Sequence, residues 1–327
     1  MLEFTEIFVI FASVNPMRAI KNILLTLIFL LMKKSIFMPV VAMCVISMYS
    51  CEEVIPESTV TLSVPYPDTT EYATITFACQ GFEMDQKAIT RGELQADGKT
   101  MTDLWVLDYM GDELVQQLHQ DDNTAEDFGS PTMSLAVGQH NLYFIASRGQ
   151  SPTLNTTAKT LTFSKVLDTF YKSLSLDVSA TSAGSQSVTL ERIVTKLKLT
   201  FEDVIPANAA TFNVTPTAWH YGIDYTTGQP TAAVSSQTVS MSVPTSSLGK
   251  TGEFLNLYGF SSETEWTTDI AFNCKASDNS ILGAATITAA PMKRNRITSY
   301  TGPLFSGNSA MTLALSSDWL TEYTGTW

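Results

Sequence analysis

The sequence predicts an all-β protein, built as two tandem β-sandwich domains behind an N-terminal leader. Apolar residues alternate with polar ones over short runs, as they do in strands that bury one face. Glycine, asparagine, aspartate and proline interrupt these runs at spacings of about ten residues, which is typical of a sandwich. Helical periodicity is scarce. Residues 157–175 are the best candidate for a short helix or an irregular crossing.

The leader covers residues 1–50, and we expect the true start at Met32, so that the upstream stretch is an extension. The leader has two lysines, Lys33 and Lys34, followed by a short apolar stretch. Small residues come next, and the leader is followed by Cys51. This is the layout of a secretory signal, and the apolar run is too short for a membrane span. Two alternatives stay open: a cleaved signal whose cysteine is incidental, and a membrane helix over residues 22–50. That helix would hold both lysines inside the span, where charges are costly.

Cys51 resembles the lipid-modified cysteine of a lipoprotein signal. Met48 and Tyr49 differ from the residues that usually precede that cysteine, and lipoprotein signals of Bacteroidetes often differ in this way. Glu52 and Glu53 follow at once, and acidic residues in this place resemble a signal for display on the outer surface. We therefore expect a surface-exposed protein held in the outer membrane by acyl chains, such as palmitate, on Cys51. Stable anchoring needs more than one chain, which triacylation would supply.

The first domain is predicted to span residues 51–185. Its predicted strands fall near residues 60–64, 73–79, 104–107, 113–115, 132–137 and 141–146. The small polar stretch 181–187 is predicted to be a linker or a long turn.

The second domain is predicted to span residues 186–327. It opens with the longest strand signal, 188–201, in which the apolar alternation changes phase near Val194. Such a phase change predicts a bulge where the strand switches faces. Further strands are predicted near residues 211–215, 237–243, 253–260, 268–275, 282–289, 294–301 and 310–315.

Charge and cysteine content exclude several classes of protein. The formal net charge of −13 repels nucleic acid phosphates, and no basic stripe offsets it, so we expect no nucleic-acid partner. Outside the leader and Cys51, only Cys79 and Cys274 remain, without zinc-site spacing. They are predicted to lie in different domains, which favours free thiols over a disulfide.

No catalytic or metal motif stands out, so we expect no enzyme, no metal and no cofactor. HExxH, GxSxG, the P-loop and the EF-hand pattern are all absent. The three histidines are predicted to be surface or turn residues, and the acidic clusters near 108–112 and 121–127 to be solvated loops more often than calcium sites. The tryptophans could line a carbohydrate groove, but their scatter favours core positions.

Several segments in order resemble the fimbrillin superfamily of Bacteroidetes, in particular its FimB/Mfa2-type anchor subunits. The resemblance begins with Cys51 and covers most of the chain after it. The segments that carry it are Ile75-Thr76-Phe77, Ile89-Thr90-Arg91, Leu104-Trp105-Val106-Leu107-Asp108 with Gly111, Leu135 to Ala146, Leu190-Glu191-Arg192-Ile193-Val194-Thr195-Lys196-Leu197, Ile205-Pro206, Lys293-Arg294-Asn295-Arg296 with Gly302, and Asp318-Trp319.

The resemblance implies two transthyretin-like sandwiches and assembly by strand exchange, in which a neighbour's strand fills a groove left by a removed strand. In stalk and tip subunits a protease cuts after an arginine beyond the first strand, and Arg91 stands where such a cut would fall. Its alternative is an ordinary loop arginine. In anchor subunits the first strand stays. The C-terminal stretch, Ser316 to Trp327, would be the donor strand, and its Leu320, Tyr323 and Trp327 would be plugs for a partner's groove or would close the protein's own sheet.

The expected function is therefore that of a lipid-anchored accessory or anchor subunit of a fimbria. Its partners would be other fimbrial subunits and, through Cys51, the outer membrane. Two alternatives remain: a stalk or tip subunit activated by cleavage after Arg91, and a glycan-binding surface lipoprotein. A lipid-anchored hydrolase is a weaker third, because it needs paired carboxylates that the sequence does not reveal.

Overall fold

The computed structural model describes residues 59–62 (as backbone), 71–81, 101–122, 124–148, 152–307 and 311–316. All of these ranges fall in one compact unit, Pro56–Trp327. The described residues form strands connected by turns, with a single 3₁₀ turn at Thr245–Ser247 and no α-helix. The predicted all-β fold class is confirmed.

Two sheets form the first sandwich. The larger has the order β1-β4-β3-β6-β9-β11 and is antiparallel throughout. Its strands are β1 (Thr59–Leu62), β3 (Asp103–Met110), β4 (Glu113–Asp121), β6 (Gly138–Ser147), β9 (Thr169–Val178) and β11 (Glu191–Arg192). The smaller sheet has the order β10-β2-β5, with β10 parallel to β2. Its strands are β2 (Tyr72–Gln80), β5 (Thr132–Ala136) and β10 (Gly184–Thr189).

Two four-stranded sheets form the second sandwich. The first has the order β17-β12-β20-β21, in which β12 and β20 are parallel. Its strands are β12 (Val194–Phe201), β17 (Phe254–Phe260), β20 (Ile297–Gly302) and β21 (Thr312–Ser316). The second has the antiparallel order β16-β13-β18-β19. Its strands are β13 (Ala209–Pro216), β16 (Val239–Ser242), β18 (Trp266–Ala276) and β19 (Ile281–Met292).

A fifth, small sheet of order β15-β14-β8-β7 is built from short hairpin strands. They are β7 (Thr153–Asn155), β8 (Thr160–Thr162), β14 (Gly222–Asp224) and β15 (Gln229–Pro230). Residues 157–175 hold β8, an irregular connection over residues 163–168 and the start of β9, so the helix alternative is wrong and the irregular crossing matches the structure. Threonine and aromatic side chains favour the pleated strand over the helix, which explains the difference.

Strand β3 contributes to two cores at once. Its even residues, such as Leu104 and Val106, pack into the core of the first sandwich, which also holds Phe77 and Phe144. Its odd residues, such as Trp105, pack into a second core shared with the second sandwich and the small sheet. Because successive side chains of a strand point to opposite faces, this strand is buried on both sides.

The predicted single strand over residues 188–201 is wrong. The chain crosses three sheets here, since β10, β11 and β12 follow one another and pair with β2, β9 and β20 respectively. The change of apolar phase near Val194 marks this crossing and not a bulge. The predicted linker 181–187 is also shorter, because β10 begins at Gly184.

The predicted domain boundary near residue 185 stays a prediction. Val188 and Leu190 pack in the core of the first sandwich, and Arg192 pairs with β9. We propose that the boundary lies between Arg192 and Val194, where the chain enters the second sandwich.

Candidate functional site

Strand β2 occupies a slot between β5 and β10. It pairs antiparallel with β5, where Ile75 lies opposite Met133, and parallel with β10, where Phe77 lies opposite Gln186. It is the central strand of a three-stranded sheet, so both flanking strands depend on it for their hydrogen bonds. We call this position the β2 slot.

Backbone hydrogen bonds continue the pairing beyond the ends of the flanking strands. The Phe77 amide donates to the Pro131 carbonyl at 2.9 Å, and the Cys79 amide donates to the Gly129 carbonyl at 2.8 Å. On the other side, the Leu190 amide donates to the Gln80 carbonyl at 2.8 Å. These bonds hold β2 along its whole length.

Apolar side chains of β2 fill the core beneath the slot. Ala73, Ile75 and Phe77 are buried, and the Phe77 ring meets Phe144 edge to face with centroids 5.2 Å apart. Burial of each large side chain stabilises the fold by about 1.5–3 kcal/mol. A chain without β2 would expose this core and leave unpaired edges on β5 and β10.

The covalent link from β1 and β2 to the later strands of the first sandwich passes through residues 82–100. Arg91 belongs to this segment, which lies outside the described residues. A cut after Arg91 would therefore separate both β1 and β2 from the remaining chain. Among the described strands, β1 pairs with β4 alone, at the edge of the larger sheet, whereas β2 is central to its sheet.

A buried ion pair lies where the two sandwiches meet. The Arg192 guanidinium donates to both carboxylate oxygens of Asp168, at 2.7 and 3.0 Å, and the two side chains are 6% and 3% exposed. The same guanidinium donates to Asn295 Oδ1 at 3.2 Å and lies over the Phe170 ring. The fork geometry of arginine suits such a two-bond contact with a carboxylate.

Two segments that carry the sequence resemblance come together at this junction. The backbone N–H of Asn295 donates to the Val194 carbonyl, and the backbone N–H of Lys196 donates to the Arg296 carbonyl. Arg294 donates to the carbonyls of Ser261 and Gly228. A polar cleft of about 420 Å³ opens beside them. Sequence alone did not reveal that these segments are neighbours, because they lie about a hundred residues apart.

His140 is buried, so its prediction as a surface or turn residue is wrong. Its Nδ1 lies 2.8 Å from Asp108 Oδ1 and its Nε2 lies 2.8 Å from the Ala136 carbonyl. Burial by itself lowers the pKa of His140, but the hydrogen bond and charge of Asp108 and the Ala136 carbonyl outweigh it, so the pKa is raised. Burial also raises the pKa of Asp108, against the opposing effect of His140. Ala136 pairs with Tyr72, so this pair lies at one end of the β2 slot.

The other histidines make ordinary packing contacts. His119 stacks on Trp105 and lies 2.9 Å from Asp103, and His220 packs against Trp266. In the described ranges, no three histidine, cysteine, aspartate or glutamate side chains come together as metal ligands would. Of the acidic residues considered for calcium, Asp108 is a buried partner of His140 and not part of a solvated loop.

The described tryptophans and cysteines are buried or half-buried. Trp105 and Trp219 are buried, as the sequence predicted, and Trp266 is half-buried against Trp219. Cys79 and Cys274 are free thiols in different cores, and burial raises the pKa of Cys79 to about 12. None of the described residues forms an apolar helix of membrane-spanning length.

All seven residues predicted to act in export and assembly lie outside the described residues. They are Cys51, Glu52, Glu53, Arg91, Leu320, Tyr323 and Trp327. The described chain ends on β21, which pairs with β20 at the edge of its own sheet, so the predicted donor segment begins where this strand ends.

Comparison with solved structures finds distant similarities. A candidate cell adhesion protein from Bacteroides ovatus is 12% identical, with a TM-score of 0.46 over 78% of this chain and 99% of that one. A second, from Bacteroides uniformis, is 10% identical, with a TM-score of 0.43 over 78% and 100%. The tip fimbrial protein Mfa3 from Porphyromonas gingivalis is 12% identical, with a TM-score of 0.36 over 76% and 98%. All three scores lie below 0.5, so these similarities alone establish neither fold nor function.

Comparison at the level of sequence gives a family. No curated protein matches the chain significantly. A family model matches residues 152–326, which include the small sheet, the junction and the second sandwich. The chain belongs to the family of unknown function DUF6562.

Proposed function

We propose that this protein is a fimbrial subunit of the bacterial cell surface, tethered to the outer membrane by a lipid on Cys51. It acts as an accessory or anchor subunit and joins a fimbria by strand exchange, without catalysis. The observation that carries the proposal is the β2 slot, whose central strand is joined to the later strands of the first sandwich through a segment that contains Arg91. The names of the distant structural neighbours, a tip fimbrial protein and candidate cell adhesion proteins, agree with it.

In the anchor role, β2 stays in the slot after export. With β2 in place, the first sandwich has a filled core and offers no groove for a neighbour's strand. Such a subunit ends a polymer and does not extend it at this site. In a regular strand, Tyr323 and Trp327 of the proposed donor segment would project to one face and Leu320 to the other. The first two would then fill a partner's groove.

Cleavage after Arg91 separates the two fimbrial roles. We expect the chain, expressed in a Bacteroidetes host, to keep a lipid-modified Cys51 at the start of its surface form, and Arg91→Ala to leave this form unchanged. Mass spectrometry of the outer-membrane fraction reads both features. Arg148→Ala is the matched control, since it removes another loop arginine. A surface form that begins at Gly92, and is lost in Arg91→Ala, would contradict the anchor role and support a stalk or tip subunit.

Removal of the donor segment tests strand exchange. We expect a chain truncated after Ser316 to fold, because β21 and both described cores are retained, but to be absent from isolated fimbriae. Circular dichroism checks the fold, and immunoblotting of sheared fimbriae checks incorporation. Normal incorporation of the truncated chain would refute the donor role of this segment.

A glycan-binding role receives less support. Carbohydrate sites of this kind stack sugars on exposed aromatic rings, whereas the described tryptophans are buried or half-buried. Trp319 and Trp327 lie outside the described residues.

A further inference from the structure

A groove runs along one side of the second sandwich, and none of the residues that line it belongs to β2, β5 or β10. Strand β17 ends one sheet and strand β16 ends the other, and both line a cavity of about 1000 Å³. Neither strand has a strand partner on its outer edge within the described part of the chain. The outer edge of a sheet presents main-chain donors and acceptors to any extended chain that approaches it.

The floor of this groove is apolar. Phe201 and Phe212 stack with ring centroids 4.8 Å apart at its base, and Val239 and Met241 on β16 are only half-buried. Side chains from both edge strands therefore reach a space that no described residue fills. The apolar residues that line it include Phe201, Phe212, Val239, Met241, Leu255 and Leu257.

Positive charges surround the floor. Arg148, Lys165 and Lys250 line the groove, and among the described residues none of the three forms an ion pair. Two carboxylates also line it: Asp168, which is bound to Arg192, and Glu253. The groove is therefore locally positive on a chain whose formal net charge is −13. This combination favours a ligand that is anionic and also apolar.

We propose that this groove binds an acidic peptide segment in an extended conformation, as an added strand along β16 or β17. Main-chain hydrogen bonds to the open edge would supply affinity, and alternate apolar side chains would enter the floor. Acidic residues between them would meet the three cations. An anionic polysaccharide could use the cations but neither the apolar floor nor the strand edges, so the peptide accounts for more of the groove.

Binding to designed peptides tests this assignment. The probe is an acetylated peptide of about eight residues, the length of an ordinary strand, that alternates glutamate with valine or isoleucine. One control replaces each glutamate with lysine, and another N-methylates alternate residues to remove strand hydrogen bonds. With the full-length protein, we expect fluorescence anisotropy to detect only the unmodified acidic peptide, with weaker binding at high salt.

Variants locate the binding site. Lys165→Glu combined with Lys250→Glu should weaken binding by about tenfold or more, as expected for reversal of two charges at a binding rim. Met241→Glu should also weaken peptide binding, because it places a charge in the apolar floor of the groove. Lys275→Glu, on β18 and outside the groove lining, is the matched control and should bind normally. Thermal unfolding checks that all variants fold.

Several results would overturn the proposal. The first three are absence of binding by the acidic peptide, equal binding of the N-methylated peptide, and unchanged binding in the Lys165/Lys250 double variant. The last is displacement of the peptide by polygalacturonate, if Met241→Glu weakens the binding of both ligands equally. The last would identify a polysaccharide site. None of these outcomes depends on Arg91 or on fimbrial assembly, so the fimbrial proposal would be unaffected.

Discussion

Replacement of Arg192 with methionine is expected to lower the free energy of unfolding by about 3–5 kcal/mol, because it leaves the buried Asp168 carboxylate without its counter-charge. The same change removes the contact with Asn295 and the packing over Phe170. Arg192→Lys should recover only part of the loss, since an ammonium cannot form both bonds of the guanidinium fork. Urea denaturation of the purified chain measures these differences.

Two comparisons make this result specific to the buried pair. The double variant Arg192→Met/Asp168→Leu should be more stable than Arg192→Met, because no buried charge is left unpaired. Lys172→Met removes the neighbouring pair with Glu191, whose side chains are 42% and 75% exposed, and should change stability by less than about 1 kcal/mol. Equal losses for Arg192→Met and Lys172→Met would show that burial of the pair does not matter.

The His140–Asp108 pair is expected to make the fold less stable as the pH rises. Both ring nitrogens of His140 face acceptors, the Asp108 carboxylate and the Ala136 carbonyl. The pair must therefore hold one proton more than a neutral imidazole next to an ionised carboxylate would hold. Folding raises the pKa of His140 above its ordinary value of 6.5. Its contribution is then fully present below about pH 6.5 and is lost as the pH rises through the folded-state pKa. A rise of one in the pKa of His140 corresponds to about 1.4 kcal/mol in the free energy of unfolding.

Denaturation in urea between about pH 6 and pH 9 measures this loss. His140→Phe should lower stability by about 3–5 kcal/mol near neutral pH, because Asp108 is left buried without a partner. Its stability should still fall with pH, since burial raises the pKa of the remaining Asp108 carboxyl. Adding Asp108→Leu should restore part of the stability and flatten the profile. His119→Phe removes a partly exposed histidine and serves as the control that should keep the slope of the parent chain. A parent profile that rises with pH would contradict the assignment.

The alternation of side chains made most strands predictable, and the exceptions have physical causes. The predicted strands at 73–79, 132–137 and 268–275 match β2, β5 and β18. At 188–201 the alternation persisted while the chain moved between three sheets, because each sheet again buries alternate residues. Local pattern records which face is buried, but not which sheet buries it.

The buried polar pairs could not be predicted for a related reason. Asp108 followed a predicted strand and read as part of a turn, whereas β3 extends to Met110 and buries the carboxylate. Its partner His140 is 32 residues away, and Arg192 lies 24 residues from Asp168. A titratable side chain in a strand signals no partner by itself, since the partner depends on strand order.

The sequence by itself determined an all-β chain with a net negative charge, without catalytic or metal motifs, because composition and two-residue periodicity are local properties. Only the tertiary structure decided that β2 is the central strand of its sheet, that the segments around Arg192 and Asn295 meet at one junction, and that an open groove carries three cations. These features depend on strand order and on contacts between residues far apart in the chain, which no local pattern encodes.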